Sequence, residues 1–175
     1  VRSSAASDVY KRQKEMRVKI CSYSEQYKDE VIRLILKIQR EEFGLAIGIK
    51  EQYDLLDITS HYLEKGHFWI SLDDDNKLAG TIALVKLDNG ASALKKMFVR
   101  NDLRRYGLGR QLMETCLTYC QGINITSIYL GTVSSLLQAQ KFYQNMGFQE
   151  IGKGQLPYDF PILDLDNVFY HYSLK

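Results

Sequence analysis

The stretch that most constrains this chain is residues 95–113, KKMFVRNDLRRYGLGRQLM, where a strand pattern turns into a helix pattern across a loop rich in glycine and arginine. Strand character ends at Val99. Leu108, Leu112, Cys116 and Cys120 then recur at helical spacing with Met113 and Leu117 beside them, so a helix is expected over about residues 107–121. Between the two lie Arg104, Arg105, Tyr106, Gly107, Leu108, Gly109 and Arg110. Gly107 and Gly109 lack a Cβ, so main chain there can approach a ligand closely. The first amides of a helix have no intrahelical acceptor and sit at the positive end of its dipole. Those amides, ringed by the guanidinium groups of Arg104, Arg105 and Arg110, suit an anion of pyrophosphate size.

Other phosphate loops fit less well. A nucleotide P-loop needs Gly-Lys-Ser/Thr after the loop, and here Arg110, Gln111 and Leu112 follow. A dinucleotide fingerprint wants a third glycine where Leu112 stands, and wants it early in the chain. A glycine turn that merely packs helix on strand remains the plain structural alternative.

The rest of the chain reads in order. Residues 17–23 suit a first strand; Val31, Leu34, Ile35 and Ile38 then mark an amphipathic helix, with Ser24 as a candidate N-cap and Gly44 as its stop. A second helix is expected over about residues 50–63, ending at Gly66. Residues 67–72, 78–87 and 91–99 read as three strands of an antiparallel meander, joined by the acidic turn at 73–76 and by Asp88-Asn89-Gly90, with Gly80 at a bulge. After the helix at 107–121 come a strand at 125–130, a helix capped by Ser134 or Ser135 and ended by Gly147, and strands at 148–151 and 168–174. This is a mixed α/β chain whose middle strand–helix–strand unit requires parallel pairing.

Composition narrows the function. The 175 residues fit one domain, and 45% hydrophobic with 25% charged is ordinary for a globular chain. A net charge of +2 gives no argument for a nucleic-acid or membrane surface, and no apolar run is long enough to span a bilayer. Three cysteines, Cys21, Cys116 and Cys120, do not form a disulfide framework and suggest a reducing, cytoplasmic setting. Cys116 and Cys120 share a helix face but lack the partners for a metal site, so they read as core residues and no metal is expected. Residues 1–15 differ from the rest, being small and polar and then basic. They read as an added or read-through extension, poorly ordered unless held, before a native start at Met16 and a single domain over 16–175.

Two motifs carry a resemblance. Arg104-x-x-Gly107-x-Gly109 resembles the acetyl-CoA signature of the GNAT superfamily of N-acetyltransferases, and Ala139-Gln-Lys-Phe-Tyr143-Gln-Asn-Met-Gly147-Phe148 is similar to its second signature. The element order matches too, over about residues 16–175. The resemblance implies an acyl-CoA N-acyltransferase fold: a central, mostly antiparallel twisted sheet with a splayed parallel strand pair, flanked by about four helices. It implies that acetyl-CoA lies in the V of the splay. Met97, Phe98 and Val99 would pair with its pantetheine, and residues 104–109 would wrap its pyrophosphate. It implies direct transfer of the acetyl group to an amine, with the oxyanion held by a backbone amide near Phe98 and the leaving thiolate protonated by Tyr143. The acceptor implied is a small-molecule or peptide amine, handled by a monomer or homodimer.

Two positions depart from the pattern. Leu136 stands where many members carry an Asn, which removes one expected cofactor contact. Lys95 and Lys96 stand where the splayed strand often has an acid, which leaves the base unassigned among Glu41, Glu42, His61, His67, His171 and water. The segment with Asp159, Asp164 and Asp166 either folds over the acceptor mouth or packs as a loop before the last strand. A non-catalytic acyl-CoA sensor on the same fold, and a nucleotide- or phosphate-binding protein, are the alternatives.

Overall fold

The computed structural model describes residues 17–174, so the expected extension at 1–15 lies outside the described residues. Its regular elements are β1 (Lys19–Ser22), α1 (Lys28–Lys37), β2 (Gly66–Leu72), β3 (Leu78–Lys86), β4 (Ala91–Val99), α2 (Leu108–Gly122), β5 (Ser127–Thr132), α3 (Leu137–Asn145), β6 (Gln149–Ile151) and β7 (Val168–Ser173). The strands form one sheet in the order β1-β2-β3-β4-β5-β7-β6. Among the described strands β4 and β5 make a parallel pair; the other neighbours are antiparallel. This is the mixed α/β arrangement expected from the sequence.

The sheet is buried on both faces at its centre, which is why β3 reads as a near-continuous apolar run. On one face Ile82, Leu84 and Leu94 pack with Leu108, Leu112, Met113, Cys116 and Cys120 of α2 and with Tyr143 of α3. Cys116 and Cys120 are thus free thiols in the core. On the other face Val31 and Ile35 of α1 cover Phe68, Ile70 and Ala83.

Local differences from the expected elements have physical causes. The helix expected at 50–63 is two short helical segments, Ile49–Leu56 and Thr59–Leu63. Gln52 breaks the first (φ −132°, ψ 48°), its buried side chain turned in to exchange hydrogen bonds with Gln39 at 3.1 and 2.7 Å. Asp57 restarts the chain by accepting the Ser60 N–H at 3.2 Å. Neither Ser134 nor Ser135 caps α3. Instead Asn167 Oδ1 accepts the Ser134 N–H at 2.8 Å and Gln140 Nε2 donates to the Ser134 carbonyl at 3.0 Å. Gly147 ends α3 as expected, at φ +102°.

Candidate active site

β4 and β5 pair only over Ala91–Ala93 and Ser127–Tyr129 and then part. Beyond that point the β5-facing edge of β4 has no partner strand among the described residues, although each strand keeps its outer neighbour. The parting is aided by a bulge. Thr81 pairs with Phe98 and Ala83 with Lys95, so β4 carries one extra residue there. Lys96 takes the strain at φ +52°, and Thr81 Oγ1 donates to its carbonyl at 2.6 Å. The bulge also explains two consecutive lysines in an otherwise alternating strand: Lys95 and Lys96 emerge on the same face.

A cavity of about 150 Å³ opens where the strands part. Leu94, Met97, Leu130, Leu136, Ala139 and Tyr143 line its α2–α3 side; Gln39, Phe43, Lys95, Lys96 and Asp166 line the other. Leu136 therefore presents an apolar side chain at the position where the family often has Asn. Tyr143 is both core and wall, 8% exposed and packed against Phe148 and Tyr170. Burial first, and the Asp166 carboxylate second, push its phenol well above the usual tyrosine range, so it stays protonated.

The glycine loop lies at the start of α2. Gly107 occupies the N-cap position in the left-handed region (φ +81°), and no described side chain caps the helix, so the first-turn amides of Leu108, Gly109 and Arg110, which have no intrahelical acceptors, are not capped by a described side chain either. Arg105, also left-handed at φ +70°, turns the chain into that position. A Cβ on Gly109 would sit 3.4 Å from Phe142 and 3.5 Å from Met97, in the gap joining the loop to the parted strands. The three arginines differ in their engagements. Arg104 donates through Nη1 and Nη2 to Glu42 at 2.8 and 3.1 Å and through Nε to the Val99 carbonyl at 2.9 Å. Its charge, expected at the pyrophosphate, is committed to a clamp. Arg110 reaches Glu114 at 3.9 Å on an exposed face.

Of the candidate bases, Glu42 is held by Arg104, Glu41 is exposed, and none of the three histidines lines the cavity. His67 instead bonds Ser22 at 2.7 Å, and His171 stacks on Tyr129 with centroids 4.6 Å apart. Of the three C-terminal acids, Asp166 lines the cavity, Asp159 accepts the Asp88 N–H at 2.8 Å, and Asp164 is exposed. Sequence reasoning missed the polar network beneath the bulge. Lys96 Nζ donates to Gln52 Oε1 at 2.6 Å and lies 3.3 Å from Asp54, whose carboxylate also accepts the Tyr62 hydroxyl. The adjacent lysines were the only trace of it in the sequence, and by themselves they fix neither the bulge nor the partners.

A mostly antiparallel sheet whose one described parallel pair parts over a cavity, beside an uncapped helix start, is the arrangement expected of an acyl-CoA N-acyltransferase fold. The profile of the acetyltransferase (GNAT) family matches residues 32–148, and the chain belongs to that family. It resembles a GNAT-family acetyltransferase from Staphylococcus aureus Mu50 at 44% identity, covering 91% of this chain and 100% of that one with a TM-score of 0.89. The PaiA N-acetyltransferase of Thermoplasma acidophilum, solved in complex with coenzyme A, shares the fold at 14% identity and a TM-score of 0.73, covering 91% of this chain and 100% of that one. Human N-acetyltransferase 8 is 30% identical over 107 residues, 57% of this chain. The chain spans about half the length of that relative, 47% of it. Among the described residues no helix is long and apolar enough to cross a membrane, and no three His, Cys, Asp or Glu side chains converge on a metal position.

Proposed function

We propose that this protein is an N-acetyltransferase that moves the acetyl group of acetyl-CoA to a primary amine of a small molecule or peptide by direct attack. The observation that carries the reading is the parting of β4 from β5 after Ala93 and Tyr129, over a cavity that has Tyr143 in its wall. The main-chain groups of Met97, Phe98 and Val99 on the freed edge offer a pantetheine the pairing that β5 gives up. The loop from Arg104 and Arg105 through Tyr106, Gly107, Leu108 and Gly109 offers the diphosphate its amides, with Arg110 adding charge. The amine attacks the thioester carbonyl, and the oxyanion is stabilised by a backbone amide of the bulged strand at Phe98. The phenol of Tyr143, kept protonated by its burial, donates to the sulfur as the C–S bond breaks. Holding both reactants in one cleft supplies much of the rate without a covalent enzyme intermediate. The three free thiols fit a cytoplasmic enzyme.

Calorimetric titration with acetyl-CoA, followed by thiol release against a panel of primary amines, tests this reading. Saturable binding and amine-dependent release are expected. Binding without any amine-dependent release would leave only a sensor, and a preference for ATP or NAD over coenzyme A would remove the cofactor assignment.

A further inference from the structure

The cavity wall opposite Tyr143 holds one carboxylate that, among the described residues, no ion pair or side-chain hydrogen bond claims. Asp166 lines the cavity, and the Leu163 N–H donates to its Oδ2 at 3.2 Å, which fixes the carboxylate without neutralising it. Its seat is made by an absent side chain. A Cβ on Gly131, on the parted end of β5, would lie 2.5 Å from Oδ2 and would evict the carboxylate. The charged and titratable groups that act on Asp166 across the cavity are Lys95 and Lys96 from β4 and Tyr143 from α3. Lys96 is committed to Asp54 and Gln52, and Lys95 Nζ donates to the Pro161 carbonyl at 2.7 Å while lying over the Phe160 ring. The other acids near the cleft are spoken for, Glu42 by Arg104 and Asp54 by Lys96 and Tyr62.

We propose that Asp166 receives the ammonium group of the acceptor and takes its proton before attack on the thioester. This rests on the transferase reading above and names the base that reading lacks. One ammonium proton passes to the Asp166 carboxylate, leaving a neutral amine. The amine nitrogen forms the new C–N bond and the C–S bond breaks. The thiolate takes the Tyr143 proton, and the phenolate recovers one from the nitrogen as the amide forms. The Asp166 proton returns to solvent, so one ammonium and acetyl-CoA give an amide, a thiol and one released proton. Acid and base stand on opposite faces of the parted strands.

Burial raises the Asp166 carboxyl above the usual range, with Lys95 and Lys96 opposing the shift, which makes it a better base than a solvated aspartate. The same shift gives a readout that a structural role would not. A carboxyl whose folded value is raised contributes stability that is present below its unfolded value and lost as pH rises through the folded one. Asn at this position keeps the acceptor for the Leu163 N–H and cannot ionise. D166N is therefore expected to melt at or above the wild-type temperature at pH 8, with the gap closing toward pH 4.

The experiment measures acetyl-CoA affinity by calorimetry, melting temperature from pH 4 to 8, and thiol release from pH 6 to 9 with glycinamide, tryptamine, spermidine and a short peptide with a free N terminus. D166N is expected to lose roughly a hundredfold or more in kcat/KM at pH 7 on whichever amine the wild type acetylates fastest, with acetyl-CoA affinity unchanged. With the more basic amines, tryptamine and spermidine, its residual rate should rise about tenfold per pH unit, since only free amine then reacts, and with the α-amines it should level off above about pH 8. D166E should restore part of the rate. A D166N enzyme with near wild-type turnover and a parallel pH profile overturns this inference alone, as does one that melts lower and loses acetyl-CoA binding together with activity. A wild-type protein that does not bind acetyl-CoA, or that binds it and acetylates no amine of the panel, overturns the transferase reading as well.

Discussion

The loop at residues 104–109 and the wall formed by Gln39, Lys95, Lys96 and Asp166 serve one reaction in the proposed function but are assembled in opposite ways. The loop is one continuous stretch that offers main-chain groups; its chemistry comes from glycine conformations at the start of α2 and needs little from side chains. The wall draws on the helical turn Ile38–Glu42 that continues α1, on the β4 bulge and on the segment before β7. Most of its groups are held across the chain, Gln39 by Gln52, Lys96 by Gln52 and Lys95 by the Pro161 carbonyl, whereas Asp166 is fixed locally by the Leu163 N–H. A backbone cradle suits a ligand part that never changes, such as a diphosphate. A side-chain wall is free to differ from one enzyme to the next without moving the cradle, which is where acceptor preference resides in this reading.

If the loop works through bare backbone, added bulk should destroy it. Gly109→Tyr places a ring in the gap between Met97 and Phe142, and acetyl-CoA affinity should fall more than about a hundredfold while far-UV circular dichroism and melting stay near wild type. Retained affinity in calorimetry would show that the cofactor does not pass this gap. The next largest effect belongs to the junction of the two regions. Tyr143→Phe removes one hydroxyl from a buried ring, so binding of acetyl-CoA should hold and kcat should drop by about a hundredfold. Wild-type kcat in that variant would leave Tyr143 as a core aromatic only.

The contrast also explains what the sequence disclosed. The helix faces, the meander and the glycine loop depend on periodicity and on neighbouring residues, so they were legible, as was Gly147 ending α3. Tyr143 was singled out by the resemblance of residues 139–148 to the family's second signature, and it lines the cavity. The wall was not, because its members meet only after folding. Gln39 and Gln52 look like surface residues of two helices, yet their pairing breaks the second helix. The register that puts Lys95 and Lys96 on one face depends on a bulge, which alternation alone does not locate. Asp166 could not be told from Asp159 and Asp164 without Gly131 beside it.

The wall should therefore answer to loss of a partner as the loop answers to bulk. Lys96→Met strips a donor from buried Gln52 and a counter-ion from Asp54, and is expected to cost about 1–3 kcal/mol in chemical denaturation, with an unchanged denaturant slope. Its acetyl-CoA affinity should stay within about threefold of wild type, because the cradle does not depend on this network. A cofactor defect as large as that of Gly109→Tyr would mean that wall and loop are one unit.

The finest test lies at the Arg104–Glu42 clamp, which joins the two regions. Arg104 belongs to the loop by position but spends its guanidinium on Glu42, at the end of the α1 continuation, and on the Val99 carbonyl. Both partners are partly solvated, so the ion pair is worth no more than about 0.5–1 kcal/mol and Glu42→Ala should lower the melting temperature by only a few degrees. If the loop binds the diphosphate as proposed, the freed guanidinium can turn to it. Acetyl-CoA should bind about two- to threefold tighter at low ionic strength, and the gain should vanish at high salt, as screened charge requires. Weaker binding in Glu42→Ala at every salt concentration would give the opposite picture, in which the wall holds the cradle in shape and the cofactor loop is not self-sufficient.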